Sequence, residues 1–191
     1  MVQLIGSQTE KNLLTAFAGE SQARNRYNYF AKQARNEGYV QIAQIFDRTA
    51  DQEKEHAKRL FKYLEGGEVQ VVASFPAGVI GNTLQNLEAA AAGENYEYSQ
   101  MYPEFAKIAT GEGFAEISSV FAAIAVAEKQ HEKQYLDFVD NITGGRVFRR
   151  DNSVIWYCAN CGYLHEGTEP PVKCPACTHP QAYFQLLGEN W

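Results

Sequence analysis

The sequence lacks the features that mark membrane proteins and nucleic-acid-binding proteins. No apolar run approaches the roughly 20 residues that a transmembrane helix needs. Lys and Arg number 17 against 23 Asp and Glu, so the net charge is −6 and no basic stripe can neutralise phosphates. The start, "MVQLIGSQTEKN", has no basic segment followed by an apolar one, which a signal peptide requires. We therefore expect a cytoplasmic protein that binds neither nucleic acid nor membrane.

Cysteine is scarce, and its placement argues against a disulfide framework. The four cysteines all lie after residue 157, in two C-x2-C pairs, "CANC" and "CPAC", that are separated by twelve residues. In a cytosolic protein this spacing predicts one tetrahedral metal site with four thiolate ligands. Zinc and iron use the same ligands; the crowding of aromatic residues and a redox-type site upstream favour iron, and structural zinc remains the alternative. The predicted ligands are Cys158, Cys161, Cys174 and Cys177.

Most of the chain before these cysteines has apolar residues at helical spacing. Four such blocks lie between residue 9 and about residue 142. The segments "NEGY" at 36–39 and "GEGF" at 111–114 are typical of tight turns between helices. The longer segment 66–82 joins the two halves and is expected to cross the bundle. The pattern predicts a mainly α four-helix bundle with one long crossover, in which Pro103 kinks the third helix.

The two halves of the helical region repeat each other. Residues 18–56 align with residues 92–131: Ala-Gly-Glu opens both segments, Phe-Ala-Lys lies in the middle of both, and Glu-x-x-His closes both. The second half has one extra residue between its first glutamate and the tyrosine that follows it. We interpret the bundle as a duplicated two-helix unit.

Each predicted helix carries at least one glutamate on its apolar face. A buried, unpaired carboxylate costs several kcal/mol, so a group of them requires compensating positive charge, which divalent metal ions supply. The Glu-x-x-His spacing puts a carboxylate and an imidazole on adjacent turns of one helix, where both can reach one ion. Two such motifs, together with glutamates from the other two helices, match the template of a dinuclear iron or manganese site. The predicted ligands are Glu20, Glu53, His56, Glu94, Glu97, Glu128 and His131.

One of these residues breaks the repeat. Glu97 corresponds to Ala23 in the first half, so the second half offers an additional carboxylate. The predicted site is therefore asymmetric, and one metal ion can choose between Glu97 and His56. An ordinary, partly buried acid is the alternative interpretation of Glu97.

Three further polar residues have two interpretations each. Tyr27 and Tyr102 occupy matching places in the repeat, where their hydroxyls can hydrogen-bond ligand carboxylates or simply accompany aromatic core packing. Gln52 precedes a predicted ligand and faces either the site or solvent. The sequence alone does not choose between these alternatives.

The character of the chain changes at about residue 143. A polar, glycine-containing linker, "TGGRVFRRDNS", leads to a tail in which aromatic residues alternate with turn residues. A tail of this length is too short for a large core, so a metal held by the cysteines has to stabilise it. We expect two domains, residues 1–146 and residues 147–191.

The combination of these motifs resembles the rubrerythrin family over the whole chain. The bundle matches in "GESQARNRY", "DQEKEHAKRL" and "AVAEKQHEKQ", and the tail matches in "YCANCGY" and "CPACTHP". The resemblance implies a ferritin-like bundle with a diiron site on the seven ligands above, and a small β-rich, rubredoxin-like domain with one iron on the four cysteines. It also implies that one iron exchanges Glu97 for His56 on reduction. The chain departs from rubredoxins at Thr178, where they usually have glycine.

The resemblance further implies a function. Family members reduce hydrogen peroxide to water and protect anaerobes against oxidative stress, with electrons delivered through the rubredoxin-like iron. The expected partners are a redox protein such as rubredoxin or an NADH-dependent reductase, and a second copy of the chain in a head-to-tail homodimer. We expect no cofactor other than the metal ions. The alternatives are a ferroxidase or iron-storage protein, and a non-enzymatic electron carrier or zinc-stabilised interaction protein.

Overall fold

The structure, a computed structural model, describes residues 3–189 as a helical bundle followed by a small sheet. A π-helical turn, Glu97–Met101, joins the third and fourth α-helices into one continuous rod, so the bundle has four long members. The α-helices are α1 (Gln8–Asn36), α2 (Val40–Phe61), α3 (Thr83–Tyr96), α4 (Tyr102–Gly111) and α5 (Ala115–Thr143). The predicted mainly α four-helix architecture is confirmed. No helix in the described part of the chain is long and apolar enough to cross a membrane.

The helix ends lie where the turn residues of the sequence place them. Ser7 caps α1 by accepting the backbone N–H of Glu10, and Asn82 forms a capping box at the start of α3. Gly38 and Gly113 have positive φ angles of 84° and 87°, which lets the chain reverse directly after α1 and α4. Segment 66–82 crosses between the halves without regular secondary structure, and Val72 within it is 97% exposed.

The π-helical turn accounts for the extra residue of the second repeat. Within it the backbone N–H of Tyr102 donates to the carbonyl of Glu97, five residues earlier, instead of four. One additional residue is thus accommodated without shifting the apolar face on either side. Pro103 follows at once, at the start of α4, where its missing N–H is tolerated.

The turns of each half cap the first helix of the other half. The Glu112 carboxylate accepts the backbone N–H groups of Gln8 and Thr9 at 3.0 and 2.8 Å, and the Thr9 hydroxyl at 2.6 Å. In the other half, Glu37 accepts the N–H of Thr83 at 2.8 Å, and also its hydroxyl. Each carboxylate lies at the positive end of the dipole of a helix that belongs to the other half. These contacts therefore link the two repeats.

Replacing Glu112 with glutamine is expected to destabilise the metal-free bundle by about 1 kcal/mol at neutral pH. The pKa of Glu112 is lowered from 4.5 mainly by the hydrogen bond from the Thr9 hydroxyl and by backbone N–H groups. A lowered pKa gives stability that is fully present above 4.5 and is lost as the pH falls through the folded-state value. Urea unfolding at neutral pH and at a series of acidic pH values should show the difference from wild type shrinking below 4.5.

The control for this prediction is Glu104→Gln, which changes an exposed glutamate at the start of α4. It should leave the unfolding free energy nearly unchanged at every pH. A Glu112→Gln penalty that stays constant down to the lowest pH would contradict a capping role for the charge.

Two apolar clusters fill the bundle, and a polar layer separates them on every long helix. One cluster lies toward the α1–α2 turn and includes Phe30, Phe46 and Tyr135; the other includes Leu13 and Phe121. On α1, α2, the third rod and α5 alike, the predicted metal ligands lie between residues of the first cluster and residues of the second. The polar layer is therefore enclosed at mid-bundle by well-packed apolar side chains.

The tail forms a three-stranded antiparallel sheet with the order β2–β1–β3. Its strands are β1 (Val154–Cys158), β2 (Leu164–Gly167) and β3 (Phe184–Leu186). Trp156 is buried at its centre and donates its indole N–H to the carbonyl of Gly167 at 3.0 Å. The tail packs against α2 of its own chain, and Phe148 of the linker stacks on Tyr39 beside the α1–α2 turn.

Candidate metal centres

The polar layer of the bundle contains two groups of ligand atoms that share two residues. Within each group the ligand atoms lie within 4.8 Å of one another. Glu53 and Glu128 belong to both groups, so their carboxylates occupy bridging positions. The first group is Glu20, Glu53, His56 and Glu128, and the second is Glu53, Glu94, Glu128 and His131. This is the geometry of a dinuclear carboxylate site.

Both histidines turn the same ring nitrogen toward the carboxylates. His56 Nδ1 lies 2.9 Å from Glu128 and 3.0 Å from Glu53. His131 Nδ1 lies 2.7 Å from Glu128 and 3.1 Å from Glu53. The other nitrogen of His131, Nε2, points outward and lies 3.1 Å from Gln52 Oε1. The inward Nδ1 atoms are therefore the ones that can bind a metal ion.

The polar atoms left unpaired in this layer fit a bound metal pair. Six buried atoms of the predicted ligands make no hydrogen bond of acceptable geometry to any group within residues 3–189. Native proteins rarely leave buried polar atoms unpaired, and here the unpaired atoms converge on one small volume. They are Glu20 Oε2, Glu53 Oε1, Glu94 Oε2, both carboxylate oxygens of Glu128, and His131 Nδ1. Mixed oxygen and nitrogen donors suit iron or manganese.

Burial and mutual repulsion raise the pKa of the carboxyl groups. The pKa of Glu20 is raised to about 7, first by burial and then by the charge of Glu53, against the opposing effect of His56. The pKa of Glu94 is raised for the same reasons, burial and then Glu53. Without a cation the layer therefore resists carrying all of its negative charges, which is the condition that a metal pair relieves.

The surrounding carboxylates raise the pKa of both histidines. Burial by itself would lower the pKa of His131, but the nearby carboxylates of Glu128, Glu53 and Glu94 raise it to about 12. The pKa of His56 is raised in the same way, with Glu128 the strongest partner. The carboxylates that raise these pKa values also surround the metal positions, so a metal ion has to compete with protons for the two Nδ1 atoms.

Two tyrosines hold ligand carboxylates across the repeat. Tyr27, from the first half, donates its hydroxyl to Glu94 of the second half at 2.5 Å. Tyr102, from the second half, donates its hydroxyl to Glu20 of the first half. Burial and the adjacent carboxylates raise the pKa of both phenols, so both remain protonated donors. Each tyrosine therefore fixes one terminal carboxylate of the site.

Glu97 lies beside the two groups and belongs to neither of them within the described residues. It opens the π-helical turn and is partly buried, and its pKa is raised by burial first and by the charge of Glu20 second. A Cβ placed on Gly19 would lie 4.0 Å from Glu97 Oε1, which puts Glu97 on the Glu20 side of the site. The structure thus brings six of the seven predicted ligands together and leaves Glu97 at their edge.

Glu97 also lines an open cavity of about 1390 Å³ between the bundle and the crossover segment. Gly19 and Tyr27 contribute the α1 wall, and Phe75 of the crossover covers the opposite side. A Cβ on Gly19 would lie 3.8 Å from the ring of Phe75, so these two residues face each other across the cavity. The cavity leads from the surface to the side of the site that is formed by Glu97.

The four cysteines form a second centre in the tail. Cys158 Sγ lies 3.8 Å from Cys177 Sγ, and Cys161 Sγ lies 3.7 Å from Cys174 Sγ. A tetrahedron with metal–sulfur bonds of about 2.3 Å has sulfur–sulfur edges of about 3.8 Å, so these thiols fit one metal ion. The backbone N–H of His179 lowers the pKa of Cys177 to about 6, which favours the thiolate.

The departure at Thr178 has a structural consequence. In the first knuckle, Gly162 has a φ angle of 80° and donates its N–H to the carbonyl of Cys158. Thr178 takes the same place in the second knuckle, with a φ angle of 62° and an N–H donated to Cys174. A β-branched residue is strained in this left-handed conformation. The tail therefore keeps the turn that favours glycine while using a residue that disfavours it.

Two contributors to the site left weak signals in the sequence. Tyr135 is fully buried one turn after His131, packs edge-on against Tyr27, and has a pKa raised by burial and by Glu94. Its helical spacing marked it only as a core residue. Gln52 was left between site and solvent, and in the structure it is largely exposed yet reaches His131. The repeat gave no signal for it, since the matching residue is Ala127.

Comparisons with known proteins agree with this arrangement. A family model described as Rubrerythrin matches residues 11–139, and one described as Rubrerythrin, rubredoxin-like domain matches residues 156–185. Rubrerythrin from Nitratidesulfovibrio vulgaris is 64% identical over 191 residues, with 100% of both chains covered.

Solved structures show the same architecture. A fully reduced, all-ferrous nigerythrin aligns with a TM-score of 0.64 at 36% identity, over 96% of this chain and 88% of its own. The bacterioferritin BfrA of Mycobacterium tuberculosis aligns with a TM-score of 0.61 over 71% of this chain and 86% of its own. At 18% identity the bacterioferritin shows the fold alone. The predicted ferritin-like bundle with a rubredoxin-like tail is confirmed.

Proposed function

The chain belongs to the rubrerythrin family, and we propose that it is a non-haem diiron peroxidase that reduces hydrogen peroxide to water. One observation carries the proposal: a buried dinuclear carboxylate site and a four-cysteine site in a rubredoxin-like domain occur in the same chain. Peroxide reduction needs two electrons at the site of O–O cleavage and a route by which they are replaced. A storage protein needs no attached electron-entry domain.

We assign the metal ligands from the two groups of donor atoms. Glu53 and Glu128, which belong to both groups, would be shared between the two irons; Glu20 and His56 would hold the first iron, and Glu94 and His131 would hold the second. The position of Glu97 beside Glu20 supports its assignment as the alternative ligand of the first iron. The tetrathiolate iron is assigned to Cys158, Cys161, Cys174 and Cys177. We propose residues 1–146 and 147–191 as the two domains; residues 1, 2, 190 and 191 of these ranges lie outside the described residues.

The surrounding residues prepare the site for a small substrate. When bound, the iron pair supplies the two electrons that cleavage of the peroxide O–O bond requires. The cavity beside Gly19 and Phe75 admits peroxide to the Glu97 side of the site. The raised pKa of Glu97 suits its carboxyl group to hold a proton for a product oxygen. Tyr27 and Tyr102 keep Glu94 and Glu20 in place while this happens.

The distance between the tail and the dinuclear site of the same chain favours electron delivery between two chains. The tail packs beside the α1–α2 turn, near the start of α2 at Val40. Glu53 lies thirteen residues further along α2, which is about 20 Å at the helical rise of ~1.5 Å per residue. We therefore propose a head-to-tail homodimer in which the tail of one chain serves the bundle of its partner. The electrons come from a rubredoxin or an NADH-dependent reductase in the cytoplasm.

Mixing two inactive variants is expected to restore activity if delivery is between chains. A Glu128→Ala chain keeps its tail but has no dinuclear site, and a Cys174→Ser chain keeps its bundle but has no tetrathiolate iron. Co-expressed and purified as a heterodimer through two different tags, they should recover about half of the wild-type turnover per dimer, because one complete pair of sites remains. Peroxide consumption with an excess of reductase measures this.

Each variant as a homodimer is the control and should stay inactive. A heterodimer as inactive as both homodimers, although of normal size and metal content, would refute delivery between chains and leave delivery within one chain.

Steady-state assays distinguish the proposed function from its alternatives. Iron-loaded protein with NADH and an external reductase should consume hydrogen peroxide and show no uptake of iron beyond its own sites. A 24-subunit cage on a sizing column, with iron uptake and without peroxide turnover, would instead support the storage function. Zinc in the tail without peroxide turnover would support a carrier or interaction protein.

A further inference from the structure

The two histidines of the dinuclear site are equivalent in the repeat but are held differently. Each closes a Glu-x-x-His motif, and each turns Nδ1 toward the bridging carboxylates. They differ at the opposite nitrogen, Nε2, which points away from the metal positions. What contacts that nitrogen decides how firmly each imidazole ring is oriented.

The ring of His131 is anchored from the neighbouring helix. Gln52, on α2, lies immediately before the bridging Glu53, and its Oε1 is 3.1 Å from His131 Nε2. With Nδ1 facing the carboxylates, Nε2 carries the proton and donates it to the amide oxygen. The same α2 segment thus supplies a bridging carboxylate and fixes the histidine on α5.

The ring of His56 has no matching anchor. By the repeat, the residue that would reach it from α5 is the one before Glu128, which is Ala127, a side chain without a polar atom. Within residues 3–189 no side chain hydrogen-bonds His56 Nε2. His56 is also more exposed than His131, at 18% against 7% of the side chain. Its polar contacts within the described residues are therefore all on the Nδ1 side, to Glu20, Glu53 and Glu128.

We propose that Gln52 is a positioning residue that fixes the ring of His131 from its outer nitrogen, and that Ala127 leaves His56 held through Nδ1 alone. His56, the histidine without this second contact, belongs to the ligand group of Glu20, the side of the site on which Glu97 lies. The two halves of the repeat differ at this position, which is Gln52 in the first half and Ala127 in the second. This difference decides which of the two metal positions can change its ligands. The inference rests on the dinuclear centre of the proposed function and not on peroxide as the substrate.

Proton exchange in zinc-loaded protein tests this directly. Zinc is diamagnetic and redox-inert, and the chain has only four histidines, so ¹⁵N-histidine NMR spectra are simple to assign. In the wild type, the Hε2 proton of His131 should exchange with solvent about five- to tenfold more slowly than that of His56. Gln52→Ala should remove this protection and weaken binding of one zinc ion of the pair by about tenfold or more.

The reciprocal variant transfers the anchor. Ala127→Gln should slow exchange of the His56 Hε2 proton, and it should tighten the ring in crystal structures of the oxidised and reduced iron forms. Gln44→Ala, which truncates an exposed glutamine on the same helix, is the control and should change neither histidine.

Equal exchange of the two Hε2 protons in wild type, or a Gln52→Ala variant with unchanged exchange and unchanged zinc affinity, would overturn the proposal. The Gln52→Ala result decides the matter even where Ala127→Gln fails to fold. The exchange experiment uses zinc-loaded protein and therefore does not depend on peroxide turnover. If the zinc form shows the expected exchange pattern but the iron form has no peroxidase activity, the proposed function is wrong and this inference stands.

Discussion

Replacing Glu128 with alanine is expected to abolish peroxide reduction while the tetrathiolate iron spectrum persists. Glu128 belongs to both ligand groups and lies 2.9 Å from His56 Nδ1 and 2.7 Å from His131 Nδ1. Its loss removes a bridge and unbalances the charge of both histidines. Removing an outer partner of a metal ligand already costs roughly 10–100-fold in affinity or activity, and loss of a bridging ligand should cost more. Iron analysis should fall from about three to about one ion per chain.

Two further variants make this result specific. Glu128→Gln keeps the volume of the side chain and removes its charge, and it should lose the iron pair in the same way. Glu55→Ala truncates an exposed glutamate on α2, two residues after Glu53, and should keep full activity. The ion-pair partner of Glu55 is Lys58, on the surface of the same helix. Peroxide turnover that survives in Glu128→Ala would show that the bundle site has been misassigned.

Replacing Cys174 with serine is expected to abolish steady-state turnover but to spare a single oxidation of the dinuclear site. Cys174 is buried in the tail and lies 3.7 Å from Cys161, so serine removes one corner of the tetrahedron. Metal binding in small four-ligand sites contributes on the order of 10 kcal/mol, and without it the short tail should lose its fold. The bundle has its own two apolar clusters and should stay folded.

Stopped-flow absorbance separates the two steps. Reduced Cys174→Ser protein mixed with peroxide should oxidise its iron pair once and then stop, whereas the wild type continues with reductase present. Glu169→Gln, which alters an exposed tail carboxylate near Arg149, should behave as the wild type does. Undiminished turnover in Cys174→Ser with an external reductase would contradict the relay role of the tail.

The fold followed from the sequence because several independent signals agreed. Helical spacing marked the four long helices, and the turns at 36–39 and 111–114 contain the glycines that the structure places in the left-handed conformation. The repeat then located the polar layer, since each half carries the same glutamate and Glu-x-x-His at the same depth. A buried polar residue in one helix is ambiguous, but the same residue at the same depth in four helices is not.

Other features depend on the three-dimensional arrangement and left weaker signals. The extra residue before Tyr102 was visible in the sequence, but its accommodation as a π-helical turn is not evident from helical spacing. The caps formed by Glu37 and Glu112 join segments about 50 and about 100 residues apart, so no local pattern announces them. Gln52 occupies a largely exposed position, where periodicity predicts solvent contact.

Anaerobic mixing of fully reduced protein with hydrogen peroxide tests the central claim most directly. The sample should have counted iron and zinc, and the absorbance of both iron chromophores should be followed in the same experiment. One equivalent of peroxide per dinuclear site should take two electrons from the iron pair without delay, and the tetrathiolate iron should then become oxidised as it returns one electron to the pair. A reduced pair that stays reduced in peroxide, in a sample with full iron occupancy, would contradict the assignment of this protein as a diiron peroxidase.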